Sequence, residues 1–295
     1  MSMRILLLGK IGQLGWELLR TLAPLGEVVA LDYPEIDLTQ EGAASQAVGQ
    51  VHPEIIINAS AYTAVDRGER EADIALAING RAPGELAQAA AALGAALIHY
   101  STDYVFDGSK GSPYLESDAP NPLNVYGGSK LAGEAAIQQV GGAFLILRTA
   151  WVYSLRRDSF VTKVLQWSRE QPSLRVVADQ VSNPTWARML AEITAQLLAR
   201  AGGHPAEWLG ERRGLYHLAG DGYASRLEWA QAVLRLDPHP EQQVTRQVLP
   251  ARTAEFPTPA ERPLYSALNC DLFPRTFGLS LPPWEESLRL AMEAG

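Results

Sequence analysis

A chain of 295 residues with 47% apolar and 20% charged residues can bury a large core, which excludes wholesale disorder. Its 33 acidic side chains outnumber the 25 basic ones, for a net charge of −8, and no block of Lys or Arg occurs, which argues against a nucleic-acid binder. The lone cysteine, Cys270, excludes an internal disulfide and a thiolate metal cluster.

The first residues run directly into an apolar segment without a signal-peptide pattern. No apolar run reaches about 18 residues, the length a membrane span needs. The expectation is a soluble, cytoplasmic protein. Arg4–Gly9 is a short apolar run closed by glycine, as in a buried parallel strand. Leu14, Leu18, Leu19 and Leu22 then recur at helical spacing. Strands are predicted at Glu27–Asp32, Glu54–Ala59, Ala95–Tyr100 and Phe144–Thr149. Helices are predicted at Leu38–Val51 with Thr39 as N-cap, Asp73–Leu93 and Val125–Val140. This alternation predicts an α/β fold, a Rossmann-type doubly wound parallel sheet. Beyond Thr149 prolines punctuate the chain, and helices are predicted at Ser159–Arg169, Ala187–Arg200, Arg226–Leu236 and Trp284–Glu293. The expected organisation is a dinucleotide-binding domain over 1–150. A smaller mixed α/β substrate-binding region spans 151–295, with some C-terminal segments free to return to the first domain.

Four motifs carry chemistry. Gly9, Gly12 and Gly15 stand at GxxGxxG spacing between a strand and a helix, where glycines allow a tight turn and close approach of a pyrophosphate. Asp32 ends the second strand, where a carboxylate accepts from an adenosine ribose and repels a 2′-phosphate. The competing reading is an Asp that starts a loop before Tyr33-Pro34. Asp37 and Leu38 form a second candidate edge for the adenine. Tyr126 and Lys130 are four residues apart and share a helix face, so an ammonium sits near a phenol and prepares it for proton transfer. Ser101 and Thr102 follow the fourth strand and offer hydroxyls for a carbonyl oxygen.

The glycine turn, the Ser/Thr pair and Tyr-x-x-x-Lys together form the constellation of the short-chain dehydrogenase/reductases, whose extended branch adds a C-terminal substrate region. A narrower resemblance runs through Gly9–Leu18, Asn58–Asp66, Tyr100–Phe106, Asn124–Gly127, Ser129–Glu134, Arg148–Tyr153 and Pro257–Pro263. Over essentially the whole chain the sequence resembles the dTDP-4-dehydrorhamnose reductases.

The resemblance implies reduction of the C4 ketone of dTDP-4-dehydro-L-rhamnose with NADPH or NADH. It implies that Tyr126 donates the proton, Lys130 binds the nicotinamide ribose and tunes Tyr126, and Thr102 bonds the reacting oxygen. Asp103 and Trp151 are implied to meet the substrate. Gly9, Gly12, Gln13, Leu14, Asp32, Asp37, Leu38, Ala61, Tyr62, Thr63 and Tyr100 are implied to line the dinucleotide. Some members of the family are magnesium-bridged dimers. Arg188 falls where one of them has a ligating carboxylate, and an arginine cannot ligate a cation, so no metal is expected. The expected partner is a nucleotide sugar, with no nucleic acid or membrane, and the chain is read as a monomer or homodimer. Arg156 and Arg157 are read as a solvated loop rather than a phosphate site. Two alternatives stay open: a reductase or epimerase of another nucleotide sugar, and a non-catalytic subunit like the β subunit of methionine adenosyltransferase.

Overall fold

The computed structural model describes residues 3–293. Its first half runs β1 (Met3–Leu8), α1 (Gln13–Leu22), β2 (Gly26–Leu31), α2 (Ala43–Val51), β3 (Ile55–Asn58), α3 (Val65–Gly68), α4 (Ala72–Leu76), α5 (Ala82–Leu93), β4 (Ala96–Thr102), α6 (Val125–Val140) and β5 (Phe144–Thr149). Next come β6 (Val152–Tyr153), α7 (Phe160–Glu170), β7 (Ser173–Val177), β8 (Val181–Ser182), β9 (Thr185–Trp186), α8 (Ala187–Ala201), α9 (Pro205–Gly210) and β10 (Gly214–His217). The chain closes with β11 (Ala224–Ser225), α10 (Arg226–Arg235), β12 (Gln247–Ala251), α11 (Leu272–Phe277) and α12 (Trp284–Glu293).

Six parallel strands form the central sheet in the order β10-β5-β4-β3-β1-β2. Residues of β1 and β3 alternate between two cores. Ile5, Leu7 and Ile57 face Leu18 of α1 and Leu190 and Leu197 of α8. Leu6, Leu8 and Ile56 face Val48 of α2 and Leu86 of α5. Helices on both sides explain why these strands read as continuous apolar runs rather than as alternations. A third core gathers Tyr153, Val161, Leu174, Trp229, Trp284 and Leu288 from the second half.

The helix at Val125–Val140, the strand at Phe144–Thr149 and the helix at Trp284–Glu293 stand where the sequence places them. The helix expected from Leu38 begins only at Ala43, and Thr39 does not cap it. Asp37 Oδ1 instead accepts from the N–H and hydroxyl of Thr39, at 3.0 and 2.6 Å, and holds residues 37–40 as a turn. The helix expected at Asp73–Leu93 contains a wider π turn at Ala77–Arg81. There the Asn79 carboxamide pairs with the Tyr62 backbone, accepting at 2.9 Å and donating at 3.0 Å. The sixth strand, β10, has no counterpart in the sequence reading. Four residues are too few to show a period, and its parallel pairing to β5 spans a long crossover.

Candidate active site

The glycine turn joins β1 to α1. Gly9 has φ +89°, and a Cβ there would lie 2.7 Å from the Ala59 carbonyl carbon. A Cβ on Gly15 would lie 1.9 Å from the Gly9 oxygen, so the helix can start this close to the turn only with glycine. Gly12 caps α1 without a side chain, leaving the first helical N–H groups free of a capping oxygen. The turn opens into a cleft of about 1170 Å³ at the carboxyl ends of the strands. Gly9, Gly12, Gln13, Leu14, Asp32, Asp37, Leu38, Ala61, Thr63, Tyr100, Thr102, Asp103, Tyr126, Lys130 and Trp151 all line it. Tyr62 does not. Its phenol turns away to donate to Glu71 at 2.5 Å and accepts from Arg67 at 3.0 Å.

At one end of the cleft, α6 presents Tyr126 and Lys130. Asn124 caps this helix, accepting from the Gly127 N–H at 2.8 Å and donating to the Glu261 carbonyl at 2.7 Å. A Cβ on Gly127 would lie 2.1 Å from the Tyr104 oxygen, so glycine lets the first turn of α6 rest on the chain after β4. Tyr104 meets the Tyr126 ring edge-on with centroids 5.8 Å apart. Burial raises the Tyr126 phenol above its ordinary range, and the adjacent Thr102 hydroxyl opposes that rise. Burial pulls Lys130 down to about 8, with Glu134 opposing. Glu134 is itself held by Arg148 at 2.6 and 2.9 Å and by the Ser101 hydroxyl at 2.5 Å, all sealed in the interior.

Asp103 is buried, and burial raises its carboxyl pKa against the pull of Ser266, Ser182 and Thr102. Its Oδ2 accepts from Ser266 at 2.5 Å and Ser182 at 2.9 Å, and its Oδ1 from the Thr102 hydroxyl at 3.2 Å. Asp103 therefore ties β8 and the Ser266 segment to the residue that the sequence proposes for the reacting oxygen. Trp151 is a non-glycine residue at φ +40°, a strained backbone of a kind that clusters at functional sites. Its ring stacks on Trp229 at 5.4 Å, with the Arg226 guanidinium 3.6 Å from its centroid. Burial lowers Arg226 to about 10.

At the other end, both Asp32 oxygens accept backbone protons, from Ile11 at 3.0 Å and Tyr33 at 2.9 Å. The sequence shows no basic residue following Asp32, but the fold brings three nearby. Lys10 pairs with Glu35 at 2.6 Å, and Glu35 also accepts from the Asp32 N–H at 3.2 Å. Arg156 and Arg157 stand in an exposed loop, as expected, and there donate to the Ile11 carbonyl at 3.0 and 2.5 Å at the edge of the cleft. Only a contact between residues some 145 positions apart reveals them. His99, behind Lys130, carries no signal in the sequence, because nothing in its spacing separates it from an ordinary strand residue.

A dinucleotide fits these walls. Two buried polar atoms of cleft-lining residues, Gln13 Oε1 and Thr149 Oγ1, have no hydrogen-bond partner within the chain. The uncapped start of α1 offers N–H donors and a positive helix end to phosphates. Among the described residues no three His, Cys, Asp or Glu side chains cluster as metal ligands, and no helix is long and apolar enough to cross a membrane. Arg188 pairs with Glu192 at 2.6 Å and lies 3.5 Å from Glu17.

The family described as RmlD substrate binding domain matches residues 3–295. The chain is 40% identical over 293 residues to a dTDP-4-dehydrorhamnose reductase of Burkholderia thailandensis, covering 98% of each chain. It is 42% identical to one of Escherichia coli, covering 97% of this chain and 96% of the relative. Among solved structures, a dTDP-4-dehydrorhamnose reductase from Clostridium acetobutylicum superposes with a TM-score of 0.89 at 34% identity, covering 99% of both chains. Another from Bacillus anthracis, solved in complex with NADP, superposes at 0.90 with 32% identity and 100% coverage of both. A UDP-glucose 4-epimerase from Thermus thermophilus, 20% identical with a TM-score of 0.78, shares the fold.

Proposed function

The chain belongs to the dTDP-4-dehydrorhamnose reductase family, and from that premise we propose that it reduces the C4 ketone of dTDP-4-dehydro-L-rhamnose to give dTDP-L-rhamnose. It is a nicotinamide-dependent oxidoreductase. The observation that carries the substrate reading is the meeting of Tyr126, Thr102 and Lys130 on one wall of a cleft whose far end is the glycine turn.

Gly12, Gln13 and the start of α1 would hold the cofactor's pyrophosphate, Asp32 its adenosine ribose, and Lys130 and Tyr100 its nicotinamide end. When bound, a reduced nicotinamide would supply the hydride that C4 takes up. Tyr126 holds the ketone oxygen with its phenolic hydrogen, and the Thr102 hydroxyl joins it by turning its single proton from Asp103 Oδ1 to that oxygen. As the carbonyl π pair moves onto that oxygen, the Tyr126 O–H breaks and the new alcohol O–H forms. The phenolate left on Tyr126 is stabilised by positive charge on Lys130. Asp103 orients Thr102 through its hydroxyl and leaves Tyr126 as the proton donor. The ring of Trp151, packed against both Trp229 and Arg226, forms the wall for the sugar nucleotide, whose diphosphate supplies binding energy remote from C4.

The test is loss of reduced-nicotinamide absorbance when purified protein meets freshly generated dTDP-4-dehydro-L-rhamnose. Oxidation with formation of dTDP-L-rhamnose is expected. Cofactor binding without turnover on this sugar, but with turnover on another 4-keto nucleotide sugar, would overturn the substrate assignment.

A further inference from the structure

The loop between β6 and α7 carries two arginines that proton and hydride transfer do not use. Both ends of the loop are tied down. The Val152 carbonyl accepts from Gln13 Nε2 of α1 at 3.4 Å, and the hydroxyl of Ser159, the N-cap of α7, donates to the Ser154 carbonyl at 2.9 Å. This short closed loop presents Arg156 and Arg157 to the glycine turn, at the edge of the cleft.

The two guanidiniums converge on one atom. Arg156 Nη2 and Arg157 Nη1 donate to the Ile11 carbonyl oxygen at 3.0 and 2.5 Å. A carbonyl is neutral, so it orients the two charges without cancelling them. Each guanidinium has five N–H donors and spends one here. Arg156 also lies over the Trp16 ring, 4.6 Å from its centroid, and Arg20 lies over the same ring at 3.2 Å. Partial burial, and after it the charges of Arg157 and Arg20, pull Arg156 below the ordinary arginine range against the opposing charge of Glu17. Glu17 itself lies 3.5 Å from Arg188. Among the described residues neither Arg156 nor Arg157 pairs with a carboxylate. Like charges gathered on a neutral acceptor repel one another, and an anion placed between them relieves that cost.

Ile11 decides which anion. Its N–H donates to Asp32 Oδ2 at 3.0 Å, and Asp32 is the seat proposed for the adenosine ribose. The carbonyl of the same residue carries the arginine pair. The pyrophosphate already has Gly12, Gln13 and the start of α1, one residue further along the turn. The phosphate on the Asp32 side is one esterified to the ribose. Lys10, the third cation at this end, is neutralised by Glu35 at 2.6 Å.

We propose that Arg156 and Arg157 form a seat for the 2′-phosphate of the dinucleotide and so favour NADPH against the repulsion of Asp32. The role rests on the dinucleotide seating of the proposed function. Two positive charges meet a dianion there, and one negative charge opposes it. Both Asp32 oxygens already accept backbone protons, from Ile11 and Tyr33, which softens that opposition. The planar guanidiniums keep one N–H on Ile11 and turn others to the phosphate oxygens as charge-assisted bonds.

Calorimetric titration of the full chain with NADP+, NAD+ and 2′-AMP reads the seat without turnover. Replacing both arginines, Arg156→Gln with Arg157→Gln, is expected to weaken NADP+ and 2′-AMP by about tenfold or more and NAD+ by less than about twofold, as for loss of a charge-assisted hydrogen bond to one phosphate. Equal losses for NADP+ and NAD+ assign the pair to the pyrophosphate and overturn the proposal. Unchanged affinity for all three leaves the arginines in solvent and overturns it too. Should the double variant not fold, Arg156→Gln and Arg157→Gln made singly read the same ratio of NADP+ to NAD+ affinity. Failure of both dinucleotides to bind the wild-type chain overturns the cofactor seating and this seat together, whereas normal NAD+ binding with an unmoved ratio overturns the seat alone. No sugar nucleotide is present, so absence of turnover on the dTDP-sugar leaves this result untouched.

Discussion

The two ends of the cleft are built from opposite materials. At the reacting end Thr102, Asp103 and Lys130 are between 2 and 5% exposed and are held by other buried polar side chains. At the adenosine end Ile11 and Tyr33 are 51 and 71% exposed, and Asp32 is held by backbone N–H groups. A proton donor must be poised by groups that act through a low dielectric, and there a lost partner is costly. A phosphate can be held by backbone N–H groups and the end of a helix, which stay serviceable beside water. The pKa values divide in the same way, with Tyr126, Lys130, Asp103 and His99 displaced chiefly by burial.

The sharpest way to break this contrast is Tyr126→Phe, which keeps the ring and removes the proton. Turnover is expected to fall by about 10²–10⁴-fold with cofactor affinity nearly unchanged, as for loss of a general acid. Steady-state kinetics beside cofactor titration checks this, and near-normal turnover removes Tyr126 from the mechanism. Glu134→Ala probes the buried support. It leaves Arg148 uncompensated and is expected to cost about 3–5 kcal/mol of stability, the penalty for breaking a buried pair. Urea unfolding reads it, and a loss within that of an exposed ion pair would show that the reacting end is wetter than its burial implies.

At the open end, Asp32→Ala is expected to weaken NADH by about 1.5–3 kcal/mol, the size of a hydrogen bond to a charged group. NADPH should lose less, because Asp32 repels a 2′-phosphate while Lys10, Arg156 and Arg157 attract it. Titration of both cofactors separates the two effects, and equal losses would remove Asp32 from the choice between them. The smallest effect is the pH dependence. The lowered Lys130 loses its proton as pH rises through about 8, so its ammonium is fully present below that value and absent above it. Turnover per free enzyme, kcat/KM, should therefore decline on the alkaline side near that midpoint. Binding of an adenosine fragment such as 2′-AMP should pass through the same window unchanged. A shared midpoint would show that the two ends are electrostatically coupled.

The glycine turn, Asp32, Thr102 and the Tyr126–Lys130 pair were legible because each depends on short spacing within one element or at a strand end. Continuous apolar runs likewise marked β1, β3 and β5, since strands covered on both faces need no alternation. The Tyr62 phenol turns from the cleft, which the motif does not foretell, because a motif locates a segment without saying which way a side chain turns. The Asn79 carboxamide and the Glu71 carboxylate decide that through tertiary contact. The helix start at Ala43 was missed because Asp37 holds Thr39 in a turn that competes with helix capping.

By itself, then, the sequence determined the α/β alternation, the glycine turn and the helical spacing of Tyr126 and Lys130, all of which are local properties of the chain. Tertiary structure alone decided that β10 completes the sheet, that Arg156 and Arg157 reach the glycine turn, and that Asn58 and His99 stand behind Lys130. Those relations join residues far apart in sequence. They arise from burial and hydrogen-bond satisfaction across packed elements, which leave no periodic trace along the chain.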